Sequence, residues 1–294
     1  MRLYTYRERP GANDKIGVGF GQDTLYALAD FGLSFADMND LICNITPEQL
    51  RVLRNVPEQA TPIALQDIVC RAPIPYPMQD VVCLGINYTA HHKEAGRFDK
   101  EAFGDRPKAI YFSKRVNEAN WDGGKIPLYD GLVDSLDYEV ELGVILGKDA
   151  CCVPEERVQE YIFGYTIIND VSARNLQTGH KQWYFGKSLD GYTPMGPCIV
   201  TADEIAYPPV LGIRCSVNDE LRQNGSTGDL ITSISQIVAE LSRGMTLKAG
   251  TIIATGTPAG VGMGMQPPCF LKPGDVVTCE IEQIGTLTNV VDDQ

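Results

Sequence analysis

The hydrophobic residues of this chain fall mainly into short runs separated by turn residues. Runs of this length between glycine- or proline-containing turns are typical of strands. The strands predicted first along the chain are Arg2–Tyr6, Ile16–Phe20 and Leu25–Leu28. Those predicted further on are Val81–Gly85, Ala109–Phe112, Tyr138–Leu146, Gly164–Ile168, Ile213–Val217, Thr251–Ala254 and Val276–Ile284. Many short strands and few helices favour a β-rich α+β fold over a parallel doubly wound sheet.

Helix signals occur in three segments. Thr46 to Gln49 reads as a capping box with proline at the first helical position, which predicts a helix through about Val56. Pro154–Tyr161 also begins with proline and predicts a second helix. Ser233–Gly244 carries apolar residues at helical spacing and ends in glycine, which predicts a third.

A proline-rich stretch suggests how the chain is divided. Pro73, Pro75 and Pro77 lie within five residues, a spacing that excludes both helix and central strand. We therefore expect a boundary near residue 77. Residues 1–77 would form a small N-terminal α+β domain that ends in this linker, and residues 78–294 a larger second domain.

Composition excludes several classes of partner. The chain has 294 residues, a net charge of −13 and no long run of lysine or arginine, so we expect neither nucleic acid nor a membrane as partner. The nine cysteines are odd in number and include no C-x-x-C pair, which favours free, buried thiols in a reducing compartment. The amino-terminal residues do not resemble a signal peptide, and the predicted location is cytoplasmic.

The segment from Asp137 to Gly147 carries two acids on a predicted strand. Side chains two apart on a strand point to the same face, so Glu139 and Glu141 are expected to be neighbours. A solvated strand face is the alternative explanation. A second apolar strand, however, runs into Asp170. Three such oxygen donors suit Mg²⁺, Mn²⁺ or Ca²⁺ rather than zinc, which predicts a metal site.

A histidine and a glutamate follow another predicted strand, where the chain is expected to enter a helix. His91 and Glu94 are three residues apart and would meet on one face of a helical turn. A carboxylate that orients an imidazole can make it a base that activates water. Simple surface charge remains the alternative for Glu94.

Two glycine-containing segments add weaker candidates. Lys187 lies in a turn of small residues that would let a substrate approach closely, although a lone lysine is usually solvated. The loop from Thr255 to Gly262 lacks the Gly-Lys-Ser/Thr ending of a phosphate-binding loop, which disfavours a nucleotide. Backbone donors to a small anion remain possible there.

Taken together, these segments resemble the fumarylacetoacetate hydrolase family, in its acylpyruvase and 2-hydroxyhepta-2,4-diene-1,7-dioate isomerase-like branch. The matching motifs follow the family order over roughly residues 80–290. They are Gly85 to Glu94, Asp137 to Leu142, Gly164 to Arg174, Gly186 to Gly191, Asn218 to Gln223 and Thr255 to Gly262. The chain departs from the family by Arg115 where proline is common and by Asn175 where aspartate is common.

The resemblance implies a rolled, barrel-like mixed β-sheet, a homodimer, and Mg²⁺ or Mn²⁺ as cofactor, with Ca²⁺ as a possible substitute. It assigns the metal to Glu139, Glu141 and Asp170, and the catalytic roles to His91, Glu94 and Lys187. It further implies substrate contacts, which are Lys114, Arg174, Gln177 and Thr257.

The activity implied is hydrolysis of a carbon–carbon bond in a small 1,3-diketo acid of the acylpyruvate type, through an enolate held by the metal. The same site could instead isomerise an unsaturated 2-oxo dicarboxylic acid or decarboxylate oxaloacetate. A non-catalytic metal- or ligand-binding protein is the remaining alternative. The substrate's distal group would depend on a lid around Arg97 to Asp105 and on loops of the N-terminal unit.

Overall fold

Strands dominate the computed structural model, which describes residues 1–21, 23–95 and 108–293. The predicted lid around Arg97 to Asp105 lies outside the described residues. The strands are β1 Arg2–Arg7, β2 Lys15–Gly19, β3 Thr24–Ala27, β4 Ile63–Ala64, β5 Val69–Cys70, β6 Val81–Gly85, β7 Ile110–Lys114, β8 Lys125–Pro127, β9 Leu136–Asp137, β10 Val140–Leu146, β11 Ile162–Asn169, β12 Ser172–Ala173, β13 Met195–Thr201, β14 Gly212–Val217, β15 Glu220–Ser226, β16 Ile252–Ala254, β17 Val276–Ile281 and β18 Gly285–Asp292.

The helices are short. They are α1 Met38–Asn44, α2 Pro47–Val52, α3 Thr89–Ala95, α4 Arg174–Gly179, α5 Tyr184–Lys187 and α6 Ile234–Ser242. The predicted capping box is present on Thr46 for α2. Ser233 forms a second capping box for α6, which sequence analysis did not predict. The helix predicted at Pro154–Tyr161 is present over Glu155–Tyr161, but as a 3-10 helix rather than an α-helix.

The larger sheet has 11 strands in the described part of the chain, in the order β4-β3-β2-β1-β13-β11-β10-β16-β6-β7, with β5 paired to β1. Its pairs are antiparallel except β16 with β6. The path has two free ends, β4 and β7, so it does not close into a barrel among the described strands. The predicted β-rich α+β fold is confirmed, with an open rather than a closed sheet.

A second sheet of five strands packs against the first. Its order is β15-β14-β17-β18-β8, and β18 with β8 is its parallel pair. One hydrophobic cluster contains side chains of both sheets, among them Val144 of β10 and Ile213 of β14, which are fully buried. β10 lies between β11 and β16 and is buried along its whole length, as its uninterrupted apolar run requires.

The N-terminal strands join the larger sheet directly. Leu3 of β1 pairs with Ile199 of β13, and both are fully buried in a second hydrophobic cluster. That cluster also contains Val18 of β2 and Ile145 of β10. The domain boundary near residue 77 stays a prediction, and strand pairing crosses from the first part of the chain into the second.

None of the nine cysteines forms a disulfide. Cys83, Cys198, Cys215 and Cys279 are buried, whereas the expectation of burial is wrong for Cys43, Cys151, Cys152 and Cys269, which are exposed. In the described residues, every helix is too short or too polar to cross a bilayer.

Candidate active site

Three buried carboxylates meet at one end of the central strands. Glu139, Glu141 and Asp170 each bring an oxygen within 4.8 Å of the others. Their residues are 7%, 1% and 0% exposed, which excludes the solvated strand face considered from the sequence. Like charges this close and this buried repel one another unless cations or protons compensate them.

The antiparallel pairing of β10 with β11 brings these acids together. Val140, the first residue of β10, lies opposite Asn169, the last residue of β11. Glu139 therefore precedes one strand where Asp170 follows the other. The amide of Asp170 donates to the carbonyl of Glu139 at 2.8 Å, and the amide of Glu139 donates to the Asn169 side chain at 3.0 Å.

Three cations surround the carboxylates. The Lys187 ammonium donates to Glu139 at 2.9 Å and to Asp170 at 2.7 Å. Lys114 donates to the other oxygen of Asp170 at 2.5 Å, and an Arg174 nitrogen lies 2.7 Å from Glu139. Glu139 and Asp170 are thus compensated by ion pairs, at the cost of desolvating every member of the group.

The pKa values of Glu139 and Glu141 are shifted in opposite directions. Burial alone would raise the pKa of Glu139, but Lys187 and Arg174 lower it to about 2. Burial raises the pKa of Glu141 well above its usual range, and the charges of Asp170 and Glu139 raise it further. Burial alone would lower the pKa of Lys187, but Asp170 and Glu139 raise it. Glu141 is therefore the acid that lacks a cation.

The donor set fits a divalent metal ion. Oε1 of Glu141 is buried and makes no hydrogen bond, while Oε2 accepts only the amide of Gly256, at 2.8 Å, among the described contacts. A cation between Glu141 and its two neighbours would supply the charge that Glu141 lacks. Hard carboxylate oxygens of this kind suit Mg²⁺, Mn²⁺ or Ca²⁺. The ligand roles of Glu139, Glu141 and Asp170 remain predictions.

A histidine that is paired with a glutamate lines the cleft beside the carboxylates. On α3, Nδ1 of His91 donates to Oε2 of Glu94 at 2.9 Å, and the two side chains are 11% and 12% exposed. His91, Glu139, Glu141 and Lys187 all line the cleft. With Nδ1 occupied by the carboxylate, Nε2 is the imidazole nitrogen left to act as a base. The catalytic roles of this pair and of Lys187 also stay predictions.

The predicted substrate contacts differ in their access to the cleft. Arg174, Gln177 and Thr257 line it, and Arg174 donates to the Gln177 side chain at 2.9 Å. Lys114 is fully buried and is not among the residues that line the cleft, and its ammonium donates to Asp170 and to the carbonyl of Val171. A contact between Lys114 and substrate therefore stays a prediction. The charge of Lys114 is already paired with Asp170.

An aromatic wall closes part of the cleft. The ring of Trp183 lies directly on Gly85, where a Cβ would overlap it, and meets Phe112 edge-on at 5.2 Å between centroids. The Lys187 ammonium lies 5.3 Å from the Phe112 ring centroid. Sequence patterns did not single out Trp183 or Phe112, because single aromatic residues are more often core than site.

Comparisons with known proteins agree with this geometry. Residues 80–292 match the family described as Fumarylacetoacetate (FAA) hydrolase C-terminal. The chain belongs to the fumarylacetoacetate hydrolase family. The predicted resemblance is therefore confirmed, and the chain is an enzyme of this family.

Individual relatives support the assignment. Oxaloacetate tautomerase YisK of Bacillus subtilis (strain 168) is 44% identical over 229 residues, which cover 78% of this chain and 74% of that protein. The structure of a fumarylacetoacetate hydrolase from Exiguobacterium antarcticum has a TM-score of 0.84 and 36% identity and covers 100% of both chains. That of maleylpyruvate hydrolase from Sphingobium sp. SYK-6, in complex with manganese (II) ion and pyruvate, has a TM-score of 0.78 and 29% identity and covers 100% of this chain and 99% of that one.

Asp137 is a further candidate residue, to which sequence analysis gave no role. Its fully buried carboxylate accepts from Nε of Arg174 at 2.9 Å and from the amides of Gly262 at 2.7 Å and Met263 at 2.9 Å. The short pairing of β9 with β12 brings Asp137 beside Arg174. A signal was present, because Asp137 heads the same motif as Glu139 and Glu141.

Proposed function

We propose that this chain is a divalent-metal-dependent enzyme that interconverts the keto and enol forms of a small 2-oxo dicarboxylic acid, with oxaloacetate as its first candidate substrate. The observation that carries the proposal is that His91, which Glu94 holds by a hydrogen bond, lines the same cleft as Glu139 and Glu141. An imidazole that could act as a base therefore lies beside a site suited to a cation. The relative at 44% identity is an oxaloacetate tautomerase, which supports oxaloacetate as the substrate.

Glu139, Glu141 and Asp170 would hold the metal. When bound, it would supply Lewis acidity that draws electron density from the substrate's carboxylate and 2-oxo groups, and so acidify the hydrogens on C3. A bound cation would also let a chain of net charge −13 attract an anion. The proposed partner is therefore a small anionic 2-oxo acid.

His91 would move the proton. Its Nε2 would take a proton from C3, the C3–H electron pair would form the C2–C3 double bond as the carbonyl π pair moves onto the 2-oxygen, and that oxygen would then take up the proton. No atom is gained or lost. Glu94 keeps Nδ1 protonated and stabilises the imidazolium while it exists. Lys187 has three N–H donors, of which two are engaged by Glu139 and Asp170, so the third can donate to the negative oxygen of the enolate.

Hydrolysis of a carbon–carbon bond in an acylpyruvate is the second candidate. The specific observation in its favour is again the His91–Glu94 pair, since an imidazole with a carboxylate behind it can deprotonate water as well as carbon. The similarity to maleylpyruvate hydrolase also supports it. The two candidates share the enolate and differ in whether water reaches the distal carbonyl.

The test is a substrate screen of the enzyme after chelation, with Mg²⁺, Mn²⁺ or no metal added back. We expect the enzyme with added metal to convert enol to keto oxaloacetate faster than the enzyme without metal, as measured by ultraviolet absorbance. We expect NMR to show no cleavage product. Cleavage of acylpyruvates with slow tautomerisation would favour hydrolysis, and loss of CO₂ from oxaloacetate would indicate decarboxylation. Turnover of none of these acids, or equal rates without metal, would refute the proposal.

The Glu141→Gln variant tests the metal ligands. The amide keeps the shape of the side chain and can still accept from Gly256, but it cannot provide the anionic oxygen. We expect metal binding in calorimetry and metal-dependent turnover both to fall to background, with the fold retained in circular dichroism. Glu58→Gln, an exposed position, is the matched control and should change neither. Wild-type metal affinity in Glu141→Gln would contradict the assignment.

A further inference from the structure

We infer that the loop from Gly260 to Gly264 holds the carboxylate of Glu94 in place, and that Gly264 is a positioning residue for the His91–Glu94 pair. The expected loss of kcat rests on the proposed function. The expected change at the His91 ring rests on geometry alone. It concerns a residue just beyond the glycine-rich motif, to which the sequence patterns give no role.

Glu94 is enclosed by this loop from two sides. The amide of Gly260 donates to both carboxylate oxygens, at 3.1 and 3.3 Å. Gly264 faces the same carboxylate, where a Cβ would overlap Oε1 and Cδ and would lie 2.9 Å from Cγ. The carboxylate therefore occupies space that exists because residue 264 has no side chain.

The loop cannot easily move away from Glu94. Its amides at Gly262 and Met263 donate to the fully buried carboxylate of Asp137, which is also paired with Arg174. On its other side, a Cβ on Gly260 would overlap the carbonyl oxygen of Arg222. Backbone anchored in this way moves less readily than the end of a glutamate side chain.

A methyl group at residue 264 should therefore displace Glu94 and leave the loop in place. Gly264 ends a 3-10 turn and is not among the residues with positive φ, so alanine fits its backbone. The displaced carboxylate would no longer accept from Nδ1 of His91, and the imidazole would lose the hydrogen bond that sets its tautomer.

The kinetic test is Gly264→Ala in the metal-loaded enzyme. We expect kcat to fall roughly 10- to 100-fold, the scale of a misplaced general base, with KM nearly unchanged because the three atoms nearest the new methyl group all belong to Glu94. Gly244→Ala is the matched control, since a Cβ there meets nothing within 4 Å. It should keep wild-type kcat.

A double-mutant cycle separates positioning from general damage. Glu94→Ala removes the side chain that the new methyl group would strike, so Gly264→Ala should cost no further activity and no further Tm in that background. A second loss of the same size in the Glu94→Ala background would overturn the inference, because the defect would then not act through Glu94.

The structural arm needs no turnover. The chain has three histidines, so ¹⁵N NMR can follow the His91 ring nitrogens. We expect the wild type and Gly244→Ala to show Nδ1-protonated His91, and Gly264→Ala to show a mixture of tautomers. An unchanged tautomer in Gly264→Ala would refute the positioning role. If the wild type turned over none of the acids tested, the proposed function would fail while this arm still decided the inference.

Discussion

At the scale of single residues, Lys114 shows how charge is balanced around the carboxylates. It is fully buried, and its ammonium donates to Asp170 at 2.5 Å and to the carbonyl of Val171 at 3.1 Å. The resemblance to the family suggests that Lys114 contacts the substrate. In the structure, its ammonium instead neutralises the buried carboxylate of Asp170. A metal ion would compete with such lysines for the same oxygens.

The Lys114→Met variant tests this balance. Methionine fills a similar volume but leaves Asp170 with Lys187 as its remaining ion-pair partner, so we expect about 3–5 kcal/mol lower stability after chelation. Because the site then carries more negative charge, Mn²⁺ should bind more tightly and raise Tm by more than it does in the wild type.

Thermal unfolding with chelator and with Mn²⁺ measures both effects. Lys125→Met is the control, because Lys125 pairs with Asp292 at the surface, with a side chain that is 67% exposed. It should change neither Tm nor the response to Mn²⁺. A smaller Mn²⁺ response in Lys114→Met than in the wild type would contradict a charge-balancing role.

Sequence spacing could predict the acids but not their surroundings. The two-residue period of a strand is enough to group Glu139 with Glu141, and an apolar run ending in an acid is enough to suggest Asp170. The contacts of Glu94 with Gly260 and Gly264 span more than 160 residues of sequence. No local period reports such contacts, so Gly264 could be identified only from the fold.

At the scale of elements, strands were easier to predict than helices. Each strand predicted from an apolar run overlaps a strand of the structure, although β10 begins at Val140 rather than Tyr138. Helix α1 was missed although Asp37 caps it and Met38, Leu41 and Ile42 are buried at helical spacing. At seven residues it is too short to stand out from a buried strand in the sequence.

The two capping boxes provide a test at this scale. Ser233 caps α6, which buries Ile237 and Val238, whereas Thr46 caps α2, which has no buried residue. We expect Ser233→Ala to lower the free energy of unfolding by about 1 kcal/mol. Thr46→Ala should lower it by less than half as much, because α2 can fray without exposing core.

Urea unfolding followed by tryptophan fluorescence measures this difference, with the same chemical change made in both variants. The slope of the transition should be unchanged in each, since neither variant alters the surface exposed on unfolding. Equal losses of unfolding free energy in the two variants would show that the stability contributed by a cap does not depend on how much of its helix is buried.

At the scale of the whole molecule, the N-terminal unit completes the sheet that carries the site. The family match begins at residue 80, so the family resemblance alone does not describe β1 to β5. β1 nevertheless pairs with β13, which pairs with β11, the strand that leads into Asp170. The homodimer implied by the family stays a prediction.

The fragment of residues 78–294 tests whether the larger unit folds without the N-terminal one. Removal of residues 1–77 would leave β13 as a free edge of the sheet. It would also expose Ile199 and Ile145, which are buried together with Leu3 and Val18 in the full chain. An apolar edge of this kind pairs readily with other chains. We therefore expect the fragment to aggregate, or to unfold at a lower temperature without Mn²⁺-dependent stabilisation, while the full chain unfolds in one calorimetric transition.

Supplying residues 1–77 as a separate peptide should restore part of the fragment's solubility if the loss of strand pairing is the cause. A soluble fragment with the Tm and the Mn²⁺ response of the full chain would instead establish residue 77 as a true domain boundary, and the pairing of β1 with β13 as a contact between two independently stable units.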